Sequence, residues 1–400
     1  MDWIGFYNII VSAGSFFNKN QSIIDVIIVL VAIKVFGHIS KTLGQPSVLG
    51  KILAGIIIGP SFLGLVTQGP LIKGLAEIGV ILLMFLAGLE TNTNRLLRSL
   101  RPAAYSALLG VMIPLVAGFI LGLFFGYGRG ESAFIGVVLV ATSVSISVQV
   151  LREMGKLQSK EGLTILGAAV LDDIIGLIIL SVVIGIAMGG LNTLHIGTVL
   201  LKVMVFFGAA LFIGKFFFPL LFSITAKMQV SVPVVTTCII VALIYAVAAQ
   251  YMGLAGIIGA YLAGLMVRSA NNKGETLVKS LETVGYSFFI PFFFAGIGLE
   301  VAPGAMSKEI IPFAVLIILA AVVSKFLGCA LGALLGGLSP GSALIVGAGM
   351  IARGEVALII AKFGNDTGLI GSELFTVMVI MAIITTVLSP PLIRFFIRQI

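Results

Sequence analysis

Two carboxylates stand side by side, Asp172 and Asp173, at the centre of an apolar run from Leu163 to Ile184. A charged carboxylate at the middle of a bilayer costs about 2.5–3.5 kcal/mol on insertion scales, so two in succession require a function. Roughly ten apolar or small residues flank the pair on each side, which sets it near mid-depth and out of reach of either surface. A carboxylate held there can carry a proton or take a cation in its place.

Three other polar groups fall at similar depth. The first is Thr142, Ser143 and Ser145, within Val140-Ala-Thr-Ser-Val-Ser-Ile-Ser147. Their hydroxyls either bond back to carbonyls one turn earlier or line an ion path. The second is Arg353 with Glu355, in a glycine-rich stretch from Gly347 to Val356. If helices break there, Glu355 offsets the positive ends of half-helices and Arg353 the negative ends, which makes both scaffold rather than ligand. The third is Lys325, whose lone buried ammonium either deprotonates or seeks a carboxylate. Neighbours on a helix diverge by about 100°, so one aspartate can meet Lys325 while the other faces an ion path. A structural salt bridge using both aspartates is the alternative, and it leaves one carboxylate without a counter-charge.

The elements that position these residues are membrane helices. The 400 residues are 59% hydrophobic and 10% charged, whereas soluble domains carry about 25% charged residues. This is an all-α polytopic membrane protein. The net charge of +8 is therefore a question of membrane sidedness, and no nucleic-acid partner is expected. Cys238 and Cys329 both fall in apolar runs, so neither a disulfide framework nor a metal site is expected. Trp3 to Phe17 follows Asp2 and lacks a basic start, which reads as an interfacial segment rather than a cleaved signal.

Runs of about 20 apolar residues place thirteen spans near 22–38, 47–66, 71–90, 102–126, 132–151, 162–188, 196–224, 231–251, 253–268, 278–300, 310–336, 341–363 and 370–393. Lys19, Lys73, Arg129, Lys308 and Lys362 then share one side, and thirteen other basic residues, Arg95, Arg152 and Arg394 among them, share the opposite side. The excess predicts an outside N-terminus and a cytoplasmic C-terminus. Asp25, Lys34, Lys51, Lys202, Lys215, Glu77 and Glu282 read as interface anchors, and His38 and His195 as loop residues.

The chain repeats itself. Gly50-Lys-Ile-Leu-Ala-Gly55 matches Gly259-Ala-Tyr-Leu-Ala-Gly264 at an offset of 209, and Gly88-Leu-Glu90 matches Gly298-Leu-Glu300 at 210. The copies lie an odd number of spans apart, so the second is inverted, as in many secondary transporters with midplane sites. The offset pairs the Thr142–Ser147 stretch with the Gly347–Val356 stretch, which predicts two discontinuous helices at matching positions.

Ala141-Thr-Ser-Val-Ser145, Gly167-Ala-Ala-Val-Leu-Asp-Asp173, Ser324-Lys-Phe-Leu-Gly328 and Ala352-Arg-Gly-Glu-Val356 together resemble the bacterial monovalent cation:proton antiporters, in particular the NapA-like and GerN-like members related to the Kef potassium efflux proteins. The resemblance spans essentially the whole chain. It implies a homodimer with the NhaA/NapA-like fold. Its first repeat is 1–195 (dimerisation helices 22–90, core helices 102–188), its linker helix 196–230, and its inverted second repeat 231–400 (dimerisation helices 231–300, core helices 310–393). It also implies that Asp173 is the main ion and proton carrier, that Asp172 pairs with Lys325, and that Thr142 and Ser143 border the ion. Na+ would rest on Asp173, Asp172 and Thr142, with Arg353 and Glu355 in the second broken helix. Some relatives carry proline where this chain has Ala352.

The expected activity is electrogenic exchange of Na+ or Li+ for H+ across the cytoplasmic membrane by a core that moves like an elevator, supporting pH homeostasis. No cofactor is expected beyond the transported ions, and the partners are lipid and a second copy. Kef-type systems tend to replace the first aspartate by glutamine and append a nucleotide-binding domain, so Asp172 and the lack of that domain favour Na+ over the K+/H+ alternative. An intramembrane aspartyl protease needs its aspartates on separate helices. A cation channel would place its filter in repeated subunits or re-entrant loops. Adjacent aspartates on one helix do not fit the first, the inverted repeat argues against the second, and the protein is expected not to be an enzyme.

Overall fold

A computed structural model describes residues 20–187, 193–270, 274–300 and 309–399. Trp3 to Phe17, Lys19, Lys273 and Lys308 lie outside the described residues, as do the side chains of His195, Glu355 and Lys362. The described residues are helical throughout their regular elements, as a bilayer demands of any chain that must satisfy its backbone within one segment.

The first copy comprises α1 (Gln21–Thr42), α2 (Ser47–Ile58), α3 (Pro70–Glu90), the short α4 (Thr93–Arg98), α5 (Leu100–Phe124), α6 (Arg129–Val140), α7 (Val144–Glu153) and α8 (Lys160–Ala187). Helix α9 (Thr193–Thr225) crosses to the second copy. That copy comprises α10 (Pro233–Tyr251), α11 (Gly256–Ala270), α12 (Gly274–Val284), α13 (Ile290–Leu299), α14 (Ile311–Leu335), α15 (Pro340–Gly349), α16 (Glu355–Asp366) and α17 (Ser372–Arg398). Helices α5 and α14 are both 25 residues long, and each is followed by two half-length helices and one long one. With α6 and α7 taken together, ten helices among the described residues are long and apolar enough to span. Four shorter apolar helices, Ser47–Ile58, Gly256–Ser269, Pro340–Gly349 and Val356–Asn365, fall below that length.

Several boundaries differ from expectation. The second span stops at Ile58 instead of 66, because Gly59 and Pro60 end the helix and the chain loops on to Pro70. The tenth span contains a π-helical turn, Gly285–Phe289, between α12 and α13. Helix α4 occupies a stretch read as a loop, and the Asn92 side chain caps it by accepting from the Arg95 amide at 3.2 Å.

The repeated glycines are where the copies cross. A Cβ on Gly55 would lie 2.1 Å from the Ala295 carbonyl and 3.0 Å from the Gly298 Cα. A Cβ on Gly88 would lie 2.1 Å from the Tyr261 carbonyl and 3.1 Å from the Gly264 Cα. The first motif of each copy thus packs against the second motif of the other, at a spacing only glycine permits.

Packing sorts the helices into two groups. Helices α1, α2, α3, α10, α11, α12 and α13 contact chiefly one another. Helices α5 to α8 and α14 to α17 form a second group, with α5 against α14 as its main seam. Helix α9 lies on α11 and α10 and touches α8.

Candidate functional site

The second group is built around two interrupted helices. Helix α6 ends at Val140 and α7 begins at Val144; α15 ends at Gly349 and α16 begins at Glu355. The two breaks meet: the Ser143 amide donates to the Ala352 carbonyl at 2.7 Å. The Ser147 hydroxyl donates to the Gly349 carbonyl, the last of α15. A Cβ on Gly354 would lie 2.7 Å from the Ser143 Cβ, so the residue between Arg353 and Glu355 must be the smallest.

Each half-helix leaves carbonyls unpaired at its end, carrying partial negative charge. Two buried cations take those of α6. Arg353, fully buried, donates to the Leu139 carbonyl at 2.6 Å and to the Ile351 carbonyl at 2.5 Å. Lys325, fully buried on α14, donates to the Val140 carbonyl at 2.8 Å and to Asp172 Oδ1 at 2.7 Å. The bridge from Lys325 therefore ties α8 to the broken end of α6.

Asp172 is 1% exposed, and its Oδ2 has no hydrogen-bond partner among the described residues. Thr142 is a neighbour of that carboxylate, while its hydroxyl donates to the Val140 carbonyl at 3.3 Å. Asp173 is partly buried. Both aspartates line a cavity of about 210 Å³ with Val137, Val140, Ala141, Gly176 and Leu180, closed over by Gly253–Ala255 of the other group. Leu254, Ala255 and Val356 also line a larger cavity of about 680 Å³, whose walls carry Gln68, Lys73, Glu77, Gln250 and Glu300 at helix ends and which reaches inward to Arg353 and Thr386. The aspartates thus sit behind a vestibule on the face where α3 begins. A desolvated carboxylate oxygen with no donor accepts either a proton or a small cation.

A family model described as sodium/hydrogen exchanger, transmembrane, matches residues 26–399. The chain belongs to the sodium/hydrogen exchanger family. It is 40% identical over 371 residues to the Na(+)/H(+)-K(+) antiporter GerN of Bacillus cereus, covering 93% of this chain and 95% of that one. It is 37% identical over 374 residues to a Na(+)/H(+) antiporter of Enterococcus hirae, covering 93% and 97%. The solved structure of the sodium proton antiporter MjNhaP1 from Methanocaldococcus jannaschii matches 93% of this chain and 95% of that chain, with a TM-score of 0.68 at 18% identity, which shows a shared fold. These relatives are named as transporters, not enzymes, and the exchanger is a multi-pass membrane protein.

Of the residues singled out in the sequence of this exchanger, Asp172, Asp173, Thr142, Ser143, Lys325 and Arg353 converge around the two breaks. Helix α16 starts at Glu355. Sequence reasoning missed three supports on α17. The Thr385 hydroxyl accepts from the Arg353 amide at 3.3 Å, the Thr386 hydroxyl donates to the Arg353 carbonyl, and the Ser389 hydroxyl donates to the Ala348 carbonyl at 3.2 Å. Adjacent threonines in the middle of an apolar 27-residue helix were the available signal. Glu282 and Asp25 are not simple interface anchors: Glu282 pairs with Arg152, and Asp25, 8% exposed, accepts from Gln21 at 2.7 Å. Among the described residues no cluster of three or more His, Cys, Asp or Glu could hold a metal ion.

Proposed function

We propose that this chain exchanges Na+, or Li+, for H+ across the cytoplasmic membrane, with Asp173 as the carboxylate for which proton and cation compete. The observation that carries the reading is the division of labour at the pair: Lys325 holds one oxygen of Asp172, the other oxygen has no hydrogen-bond partner among the described residues, and both aspartates line one cavity. Asp173, Asp172 and Thr142 offer hard oxygen ligands suited to a small alkali cation, with Ser143 beside them. Arg353 and Glu355 are scaffold for the crossed breaks. In the proton-loaded state Asp173 is neutral and Lys325 is bridged to Asp172. When Na+ enters, Asp172 turns to the ion, and Lys325, left without its partner in low dielectric, gives up a proton. Two protons then exchange for one Na+, so the cycle moves charge.

The packing groups fit the roles implied for this family. The group containing α2, α3, α11 and α13 forms the dimer scaffold, and the group containing the breaks moves through it as an elevator. The basic-residue excess sets the N-terminus outside and the C-terminus in the cytoplasm. A second reading, K+ in place of Na+ in the same site, is supported by the name of the Bacillus cereus relative.

The test is exchange in proteoliposomes with a trapped pH dye, comparing Na+, Li+ and K+. Wild type responds to Na+ and Li+, and Asp173→Asn falls to background. Wild-type exchange by folded Asp173→Asn protein overturns the assignment, and a K+ response without one to Na+ reverses the selectivity.

A further inference from the structure

The two groups of helices are apart on one face and joined on the other. On the face where α3 begins, the 680 Å³ vestibule runs between them. On the face where α3 ends, the last turn of α7 crosses the gap with a polar cluster. Arg152 Nη2 pairs with Glu90 Oε1 of α3 at 2.6 Å and with Glu282 Oε1 of α12. Its guanidinium lies over the Tyr286 ring, 5.0 Å from the centroid, and the Tyr286 hydroxyl donates to Gln149 Oε1 at 2.7 Å. Gln149 in turn donates to Glu153 Oε1 at 2.9 Å. Glu153 Oε2 accepts from the Ser47 amide of α2 at 2.8 Å, and its Oε1 from the Ser47 hydroxyl. Arg268 of α11 holds the end of α3 in place by donating to the Leu89 and Glu90 carbonyls at 2.9 and 3.1 Å.

We infer that Arg152 is a positioning residue for transport: with Glu90 and Glu282, and with the Glu153–Ser47 clasp beside it, it closes the seam on the face away from the vestibule, and this seam opens once in every cycle. The inference rests on the exchange proposed above. Its physical ground is the chemistry of the seam. Parting an apolar seam exposes hydrocarbon to water at a cost that grows with the area exposed, whereas parted carboxylates and guanidinium regain their hydration. Arg152 and Glu90 keep only 12% and 22% of their side-chain surface exposed, so the desolvation cost offsets much of their attraction, and such a cluster gives a closure near balance. Glu90, Arg152 and Glu282 also stand on three helices from both groups, so no rigid movement of α7 across the other group leaves all the bonds intact.

Two experiments test it. Ser47→Cys with Glu153→Cys, bridged by a short bis-methanethiosulfonate, should stop Na+/H+ exchange, and reductant should restore it. Full exchange by the bridged protein overturns the inference. No exchange even by the reduced, folded protein, with wild type also silent to every alkali cation, overturns instead the functional reading on which it rests. The second experiment is Arg152→Gln, which weakens the vestibule-open state. The apparent half-saturation for Na+ supplied on the vestibule face should rise about tenfold or more as that state's share of the population falls, and that on the opposite face should not rise. Arg152→Glu with Glu282→Arg keeps one guanidinium between two carboxylates and should restore the wild-type asymmetry. Equal changes on both faces, or none, overturn the inference.

Discussion

Replacing Lys325 by Gln separates a coupling role from a structural one. The ammonium is fully buried and makes two contacts, to Asp172 Oδ1 at 2.7 Å and to the Val140 carbonyl at 2.8 Å. Removing one partner of a buried pair costs about 3–5 kcal/mol if the other stays charged. Asp172, 1% exposed, has no comparable counter-charge left within bonding distance, so it keeps a proton through the cycle. Asp173 then exchanges one proton for one Na+, and no net charge moves. In the two-proton cycle proposed for wild type one net charge moves per turn, and each charge is worth about 2.3 kcal/mol per 100 mV. At roughly 1.4 kcal/mol per tenfold, an imposed 100 mV without a pH gradient sustains a Na+ ratio of about 50 in wild type and about 1 in Lys325→Gln. The assay is the Na+ end-point in proteoliposomes clamped with tetraphenylphosphonium, alongside currents on a solid-supported membrane. If Lys325→Gln exchanges ions and still concentrates Na+ in response to the potential, Lys325 is only a structural counter-ion and the two-proton cycle is wrong.

Substitutions at Arg353 and Gly55, each with a comparison variant, test the scaffold. Arg353→Leu strips donors from the Leu139 and Ile351 carbonyls, at about 1–3 kcal/mol for each buried acceptor left bare; the variant should melt at lower temperature in detergent-solubilised size-exclusion assays and lose exchange, with Arg353→Lys intermediate because it keeps the charge but replaces the two nitrogens that each serve one carbonyl, Nη1 and Nη2, by a single one. An unchanged melt for Arg353→Leu would show that the breaks need no cationic cap. Gly55→Val must move Ala295, whose carbonyl would lie 2.1 Å from the new Cβ, so folded yield should collapse, whereas Gly74→Ala, which meets nothing within 4 Å, should leave yield unchanged.

The spans were legible because a bilayer leaves the backbone no alternative to the helix, and the breaks because hydroxyls, glycines and charges at mid-depth have no use in a plain span. The glycine motifs announced a repeat, but not that Gly55 meets Gly298 and Gly88 meets Gly264; a motif tells what a surface permits, not which surface arrives. The π turn at Gly285–Phe289 left no trace, since Gly-Tyr-Ser-Phe-Phe is as acceptable in a regular helix. Thr385 and Thr386 were hidden for a related reason: threonine in a span ordinarily bonds its own helix, and only the arrival of the Arg353 segment gives those hydroxyls a second role.

The ion cluster was invisible for a deeper reason. Charges at span ends are counted by the side they mark, and Arg152, Glu90 and Glu282 look the same whether they face water or each other. The repeat makes this concrete. Glu90 and Glu300 close the same Gly-Leu-Glu motif in the two copies. Glu90 is held by Arg152 at 2.6 Å on the closed face. Glu300 lines the vestibule on the open face and accepts from Gln68 at 3.3 Å. Two copies of one motif therefore have unequal surroundings in this structure. A motif shared by both copies marks the two helix ends alike, and only the folded packing shows that one end is clasped by Arg152 while the other lines a cavity.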